Sequence, residues 1–155
     1  MTHEYLVGRA RRWLSNTIGC GVVLRESRGY GLEIPDAIGW KFGRWSYVVE
    51  CKTSRGDFLA DRAKPFRRVP SEGLGAYRYM MTTRGVVKAL EELPAAWGLV
   101  EVSEGGRVRT IRPATIQAEW NHVRELGILI AELRRYQAQG IRYLPLRLER
   151  VNGGR

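Results

Sequence analysis

The segment YVVECKTSRGDF, from Tyr47 to Phe58, constrains the fold more than any other stretch of the chain. Its apolar start reads as a strand, and that strand ends by placing Glu50 and Lys52 two residues apart with Cys51 between them. Side chains repeat with a period of two along a strand, so Glu50 and Lys52 share a face. Upstream, LEIPDAIGW reads as a second strand with Pro35 at its start or edge, and KFGR can reverse the chain between Trp40 and Trp45. A hairpin closing around Gly43 pairs residues whose numbers sum to roughly 86, which sets Asp36 opposite Glu50 with Lys52 beside them.

The remaining elements follow from periodicity. Leu6, Val7, Ala10, Trp13 and Leu14 recur at helical spacing between Thr2 and about Thr17, predicting an amphipathic first helix. CGVVLRE favours a short strand, and the glycine-bearing SRGYG supplies a turn after it. DFLADRAKPFRR is compatible with a short helix that Pro65 stops or bends. AYRYMMTT reads as a strand, VVKALEEL as a short helix, and WGLVEVSEGGRVRTIRP as two strands joined around Gly105 and Gly106. After Pro113 a later helix is expected, with Ile116, Trp120, Val123, Gly127, Ile130 and Leu133 on one face and Gly127 permitting close packing. RYLPLRLERVNGGR would add a short closing strand with a mobile glycine-rich end. Helices at both ends of a central mixed sheet give an α/β sandwich, and 155 residues suit a single domain over 1–155.

Charge narrows the partners. Lys and Arg number 26 against 16 Asp and Glu, a formal charge of +10 that favours ligands carrying phosphate. No stretch reaches bilayer length and no signal-peptide pattern opens the chain, so a cytoplasmic protein of a bacterial or phage-infected cell, with no membrane partner, is expected. Cys20 and Cys51 lie in strand-like apolar surroundings, as reduced thiols would. With His3 and His122 they lack the close pairs of a structural zinc site.

Asp36 and Glu50 facing each other in an apolar site need compensating charge. A divalent cation supplies it: Mg²⁺, with Mn²⁺ as a substitute, prefers oxygen ligands. The two carboxylates, the Cys51 carbonyl and water make an incomplete shell open to a phosphate oxygen. Lys52 would orient the attacking water and stabilise phosphate oxygens; accepting a proton would require a lowered pKa. Taken singly, Asp36 also suits a turn, Glu50 and Lys52 a cross-strand charge network, and Cys51 a core position.

This arrangement resembles the PD-(D/E)XK nuclease superfamily. Its motif reads PD at Pro35 and Asp36 and ECK at Glu50, Cys51 and Lys52, on adjacent strands after an initial helix. TSRGDFLADRAKPFR and WGLVEV extend the similarity to small phage and bacterial proteins with this nuclease core. The resemblance implies a restriction-endonuclease-like mixed-sheet core flanked by helices. It also implies metal ligation by Asp36, Glu50 and the Cys51 carbonyl, an active-site role for Lys52, and phosphodiester hydrolysis. A further acidic residue is commonly found on the first helix in that superfamily, which points to Glu4; Glu26, at the end of the first strand, is the alternative.

Arg55, Lys64, Arg67 and Arg68 are candidates for holding a phosphate backbone, while Asp57 and Asp61 either organise the helix start or pair with these bases. Trp120, Tyr77 and Tyr79 offer rings for stacking on bases, though the periodicity around Trp120 favours the core. The expected function is a Mg²⁺-dependent DNA endonuclease, structure-selective or weakly sequence-specific, with a homodimer as one way to span a duplex. RNA is the less favoured substrate. A noncatalytic nucleic-acid-binding or assembly protein on a nuclease-like fold is the alternative.

Overall fold

A computed structural model describes residues 1–26, 33–42, 45–61, 64 and 69–140. The expected turn at SRGYG, the reversal at Gly43, the stop at Pro65, the candidates Arg67 and Arg68, and the closing strand lie outside the described residues. The others form helix α1 (His3–Trp13), strands β1 (Val22–Arg25), β2 (Ala37–Lys41) and β3 (Trp45–Lys52), helix α2 (Arg55–Asp61), strands β4 (Tyr77–Thr83), β5 (Gly98–Val102) and β6 (Val108–Arg112), and helix α3 (His122–Ala138).

One six-stranded sheet runs in the order β1-β2-β3-β4-β5-β6. The first three strands form an antiparallel meander, β3, β4 and β5 are parallel to one another, and β6 returns antiparallel. Parallel neighbours need a crossover, and the segment containing α2 supplies it between β3 and β4. The β2–β3 register pairs Ala37 with Val49 and Gly39 with Tyr47, sums of 86 as expected for a hairpin centred on Gly43.

Thr2 caps α1 by accepting a hydrogen bond from the Tyr5 N–H at 3.3 Å. The expected apolar stripe Leu6, Val7, Ala10, Trp13 and Leu14 is buried, against Ala37, Val49, Cys51, Tyr79, Met81, Val100 and Val102. Trp13 meets Tyr79 edge-on, with ring centroids 4.9 Å apart. Gly98 is required beneath that ring, because a Cβ there would collide with Tyr79. On the opposite face Phe58 of α2 packs with Met80, Val86, Val87, Leu93, Trp97 and Leu99, while Ile38, Val48 and Leu74 pack with Ile128 of α3.

Two expectations are corrected. VVKALEEL is not a helix: Val86 and Val87 are buried and only a 3-10 turn over Leu90–Glu92 forms. The Glu92 carboxylate accepts from the Lys88 and Ala89 N–H groups, closing the chain into a loop there. The later helix begins at His122 rather than near Ile116, since Asn121 caps it by accepting from the Arg124 N–H at 2.9 Å. Before it, Thr115 and Gln117 donate backbone hydrogen bonds to Ala96 and Ala76. α3 docks through Glu125 and Ile128, leaving Val123 81% exposed and Leu126, Ile130 and Leu133 exposed too. Gly127 makes no close approach, as a Cβ there would meet nothing within 4 Å.

The Glu125 carboxylate accepts from Trp40 Nε1 at 3.3 Å, Ser46 Oγ at 2.7 Å and the Gly75 N–H at 2.8 Å. Ser46 Oγ in turn accepts from the Ala76 N–H. Nearby, buried Glu33 pairs with Arg78 and accepts from the Leu74 N–H at 2.7 Å. These carboxylates hold the loop entering β4, where Gly75 lies at φ +88°. No helix among the described residues is long and apolar enough to cross a membrane.

Candidate active site

The β2–β3 ladder ends at Ala37 and Val49. One step further Asp36 stands opposite Glu50, and its carboxylate turns in to accept the Cys51 N–H at 2.7 Å. The side chain thereby substitutes for the next rung of the sheet. In an extended strand the N–H and C=O of one residue project to the same edge, so the Cys51 carbonyl also leaves β3 on the Asp36 side. Two carboxylates and one backbone carbonyl therefore gather at one strand end.

Glu50 and Lys52 are only 2% and 6% exposed on the face covered by α2. Lys52 Nζ lies 3.8 Å from Glu50 and 3.3 Å from Asp61, which is buried at the end of α2. Burial works against the Lys52 ammonium, but Glu50, Asp61, Asp57 and Asp36 together outweigh it and hold its pKa above the ordinary lysine value. With no metal bound, these carboxylates favour the charged form of Lys52. Asp61 was expected to pair with neighbouring bases, and it also meets Lys64 at 2.8 Å. Its contact with Lys52 is not visible locally in the sequence; it arises because the crossover lays α2 over β3.

The motif cysteine is a core group. The Cys51 thiol packs among α1 and sheet residues, and burial pushes its pKa well above the ordinary value, with Asp36 and Glu50 adding to the effect. Burial likewise pushes Cys20 up to about 11, with Lys41 partly offsetting it. Both thiols are free and buried.

Of the two candidates for a further carboxylate, Glu4 is exposed on the first turn of α1 and pairs with Arg25 at 3.0 Å. Glu26 lies closer to the centre: its N–H donates to the Asp36 carbonyl at 3.1 Å, and its charge is felt at Cys51. It has φ +45°, an unusual conformation for a non-glycine residue. His3 was missed as a neighbour of Asp36; its Nε2 is 3.4 Å from Oδ2. The available signal was its place in the first turn of a helix packed on β2.

Arg55, the candidate phosphate ligand, has partners within the fold. Its guanidinium makes a bidentate pair with Glu92, with one bond of 2.6 Å, and donates to the Val86 carbonyl. This clips the start of α2 to the β4–β5 connection. The hydrogen bond from Arg55, with help from the Lys88 and Ala89 N–H groups, lowers Glu92 to about 2 from 4.5. A carboxylate pKa depressed on folding contributes stability above its unfolded value, and that contribution is lost as pH falls from about 4.5 to about 2. Glu92→Gln is therefore expected to lower the melting temperature at neutral pH, with the gap to the parent closing as acid melts approach pH 2.

Tyr77 is stacked on Tyr47, and Trp120 sits against Trp45 and His122, so these rings are engaged in the fold. Thr82 lies beside Lys52 across the β3–β4 ladder, fully buried, and its hydroxyl has no hydrogen-bond partner among the described residues. A cleft of about 980 Å³ opens past the carboxyl ends of β3, β4 and β5, lined by residues that include Tyr5, Thr53, Thr83 and Arg84. Ligands of open α/β sheets bind in crevices at such strand ends.

Among the described residues, no group of three or more His, Cys, Asp or Glu side chains is arranged to hold a metal ion. Mg²⁺ demands less than that: it keeps several waters and takes one or two carboxylates. Asp36, Glu50 and the Cys51 carbonyl fit that donor requirement in type and in strand position.

Comparison with known proteins supports the architecture alone. No family model and no curated protein matches the chain. A solved structure of a protein of unknown function from Silicibacter pomeroyi is similar, with a TM-score of 0.62 and 24% identity over 90% of this chain and 92% of that one.

Proposed function

We propose that this chain is a metal-dependent DNA endonuclease with a restriction-endonuclease-like core. The observation that carries the reading is the strand-end constellation: buried Glu50 and Lys52 share one face, while Asp36 projects from the adjacent strand onto the Cys51 N–H. The element order supports it as well, with a helix, an antiparallel meander, a helical crossover and a parallel fourth strand.

Asp36, Glu50 and the Cys51 carbonyl would hold Mg²⁺, which supplies charge stabilisation of the phosphoryl group and a lowered pKa for water. Asp36 fixes the end of β3 through its hydrogen bond to Cys51, so the carbonyl of the same residue is held in place. Lys52, pinned between Glu50 and Asp61, presents a positive charge to phosphate oxygens and orients water. The buried Thr82 hydroxyl beside it offers a hydrogen-bonding partner to water entering the site.

The test is cleavage of duplex, single-stranded, branched and flapped DNA, with matched RNA, in Mg²⁺, Mn²⁺ or chelator. Metal-dependent DNA cleavage should fall by at least about 10²-fold in Asp36→Ala and in Glu50→Ala. Undiminished cleavage in both would sink the proposal, and preferential RNA hydrolysis would overturn the DNA assignment.

A second reading, a noncatalytic nucleic-acid-binding or assembly protein, is favoured by the engagement of both carboxylates, Glu50 with Lys52 and Asp36 with the backbone. Salt-sensitive DNA binding without cleavage across the whole panel would select it.

A further inference from the structure

We propose that the cleft between α1 and β1 holds the nucleic-acid strand flanking the acidic centre, with Arg11, Arg12 and Arg25 on its phosphates. The placement of the strand rests on the nuclease reading, whereas the binding itself is independent of cleavage. Gly8, Arg11, Arg12, Ser15, Asn16 and Arg25 line a cleft of about 380 Å³. Guanidinium, hydroxyl and side-chain amide groups are the donors that protein surfaces direct at phosphate oxygens.

Several arginines elsewhere are engaged within the fold. Arg9 donates to the Gly106 carbonyl, Arg55 to Glu92, Arg78 to Glu33, and Arg112 to the Trp97, Leu90 and Pro94 carbonyls. Arg11 and Arg12 are exposed and have no hydrogen-bond or ion-pair partner among the described residues. Arg25 pairs with Glu4, and both side chains are more than half exposed. Ser15 and Asn16 enter the cleft from a π-helical turn, Leu14–Ile18, that follows α1 and closes at Gly19 with φ +82°. Such widened turns recur at functional sites.

Both walls of the cleft belong to elements whose ends reach Asp36. On one wall Arg25 precedes Glu26, whose N–H bonds the Asp36 carbonyl. On the other, α1 begins with His3 against Asp36. From His3 to Asn16 the helix rises roughly 20 Å, the length of about six base steps. A phosphate backbone leaving the centre would therefore meet Arg25 first and Arg11 and Arg12 further on.

Arginines in the last turn of a helix also complement its dipole, and that role alone would leave DNA affinity unchanged when they are replaced. The experiment is fluorescence anisotropy of the full chain on a labelled DNA duplex in chelator over a range of salt. Arg11→Glu/Arg12→Glu and the milder Arg11→Gln/Arg12→Gln are compared with Arg107→Glu/Arg109→Glu, a charge-matched change around the opposite edge strand β6. The cleft variants should bind at least about tenfold more weakly, with the salt slope reduced by about 2, at ~0.9 per lost phosphate contact. The β6 variant should keep most of the affinity. Equal losses at both edges, unchanged binding in the folded Gln variant, or no DNA binding by the parent would each overturn the proposal. Binding in chelator that depends on the cleft, with no cleavage in Mg²⁺ or Mn²⁺ across the DNA panel, would leave the cleft standing and remove the nuclease reading.

Discussion

Lys52→Met is expected to remove metal-dependent cleavage by about 10²- to 10³-fold and to cost the metal-free protein about 3–5 kcal/mol. Both effects come from one position. Lys52 is 7% exposed at its side chain and lies between Glu50 and Asp61, each with only 3% of its side chain exposed. Methionine fills similar volume but removes the ammonium that Glu50 and Asp61 share, leaving Asp61 with Lys64. A domain of this size has roughly 5–15 kcal/mol in hand, so the loss would be plain in urea melts.

A companion variant separates the two effects. Lys52→Met/Asp61→Asn removes one of the two carboxylates that Lys52 bridges, so it should recover part of the stability and none of the cleavage. A Lys52→Met protein as stable as its parent would mean that these three groups do not hold one another in their charged forms. Mg²⁺ gives a further readout, since a ligand that binds only the folded state raises its stability with concentration. The parent should melt higher in Mg²⁺ than in chelator, and Asp36→Ala should lose that difference.

Much of this centre was legible in the sequence, for a physical reason. A short hairpin fixes its own register, and a period of two then assigns every side chain on β2 and β3 to a face. Asp36, Glu50 and Lys52 could therefore be gathered from spacing alone, and α1 read from its buried stripe. Asp61 and Arg55 could not, because their partners come from other elements. Asp61 meets Lys52 only once a crossover lays α2 on β3, and Arg55 meets Glu92 from a loop 37 residues away. The third failure has a different origin. Val123, Ile130 and Leu133 repeat like a core face, yet α3 sits on the sheet through Ile128 and a glutamate. Hydrophobic periodicity finds an apolar stripe without saying which side of the helix is docked, and a buried carboxylate runs against the pattern altogether.

That glutamate makes the second large effect predictable. Glu125→Leu keeps an apolar volume at the α3 contact but orphans Trp40 Nε1, Ser46 Oγ and the Gly75 N–H. Each buried donor left without an acceptor costs about 1–3 kcal/mol, so a loss of about 3 kcal/mol or more is expected. Glu125→Gln keeps an acceptor in place and should cost less. Because Ile128 is the only other buried residue of α3, the damage should begin as undocking of that helix. Amide exchange would then rise through α3 and the Leu74–Ala76 loop while β3 stays protected. Trp40 and Ser46 pair at the opposite end of the β2–β3 hairpin from Asp36 and Glu50. Activity should therefore persist at temperatures where the variant remains folded, in contrast to Lys52→Met. Equal protection of α3 in Glu125→Leu and the parent would show that the helix is held by something other than this carboxylate.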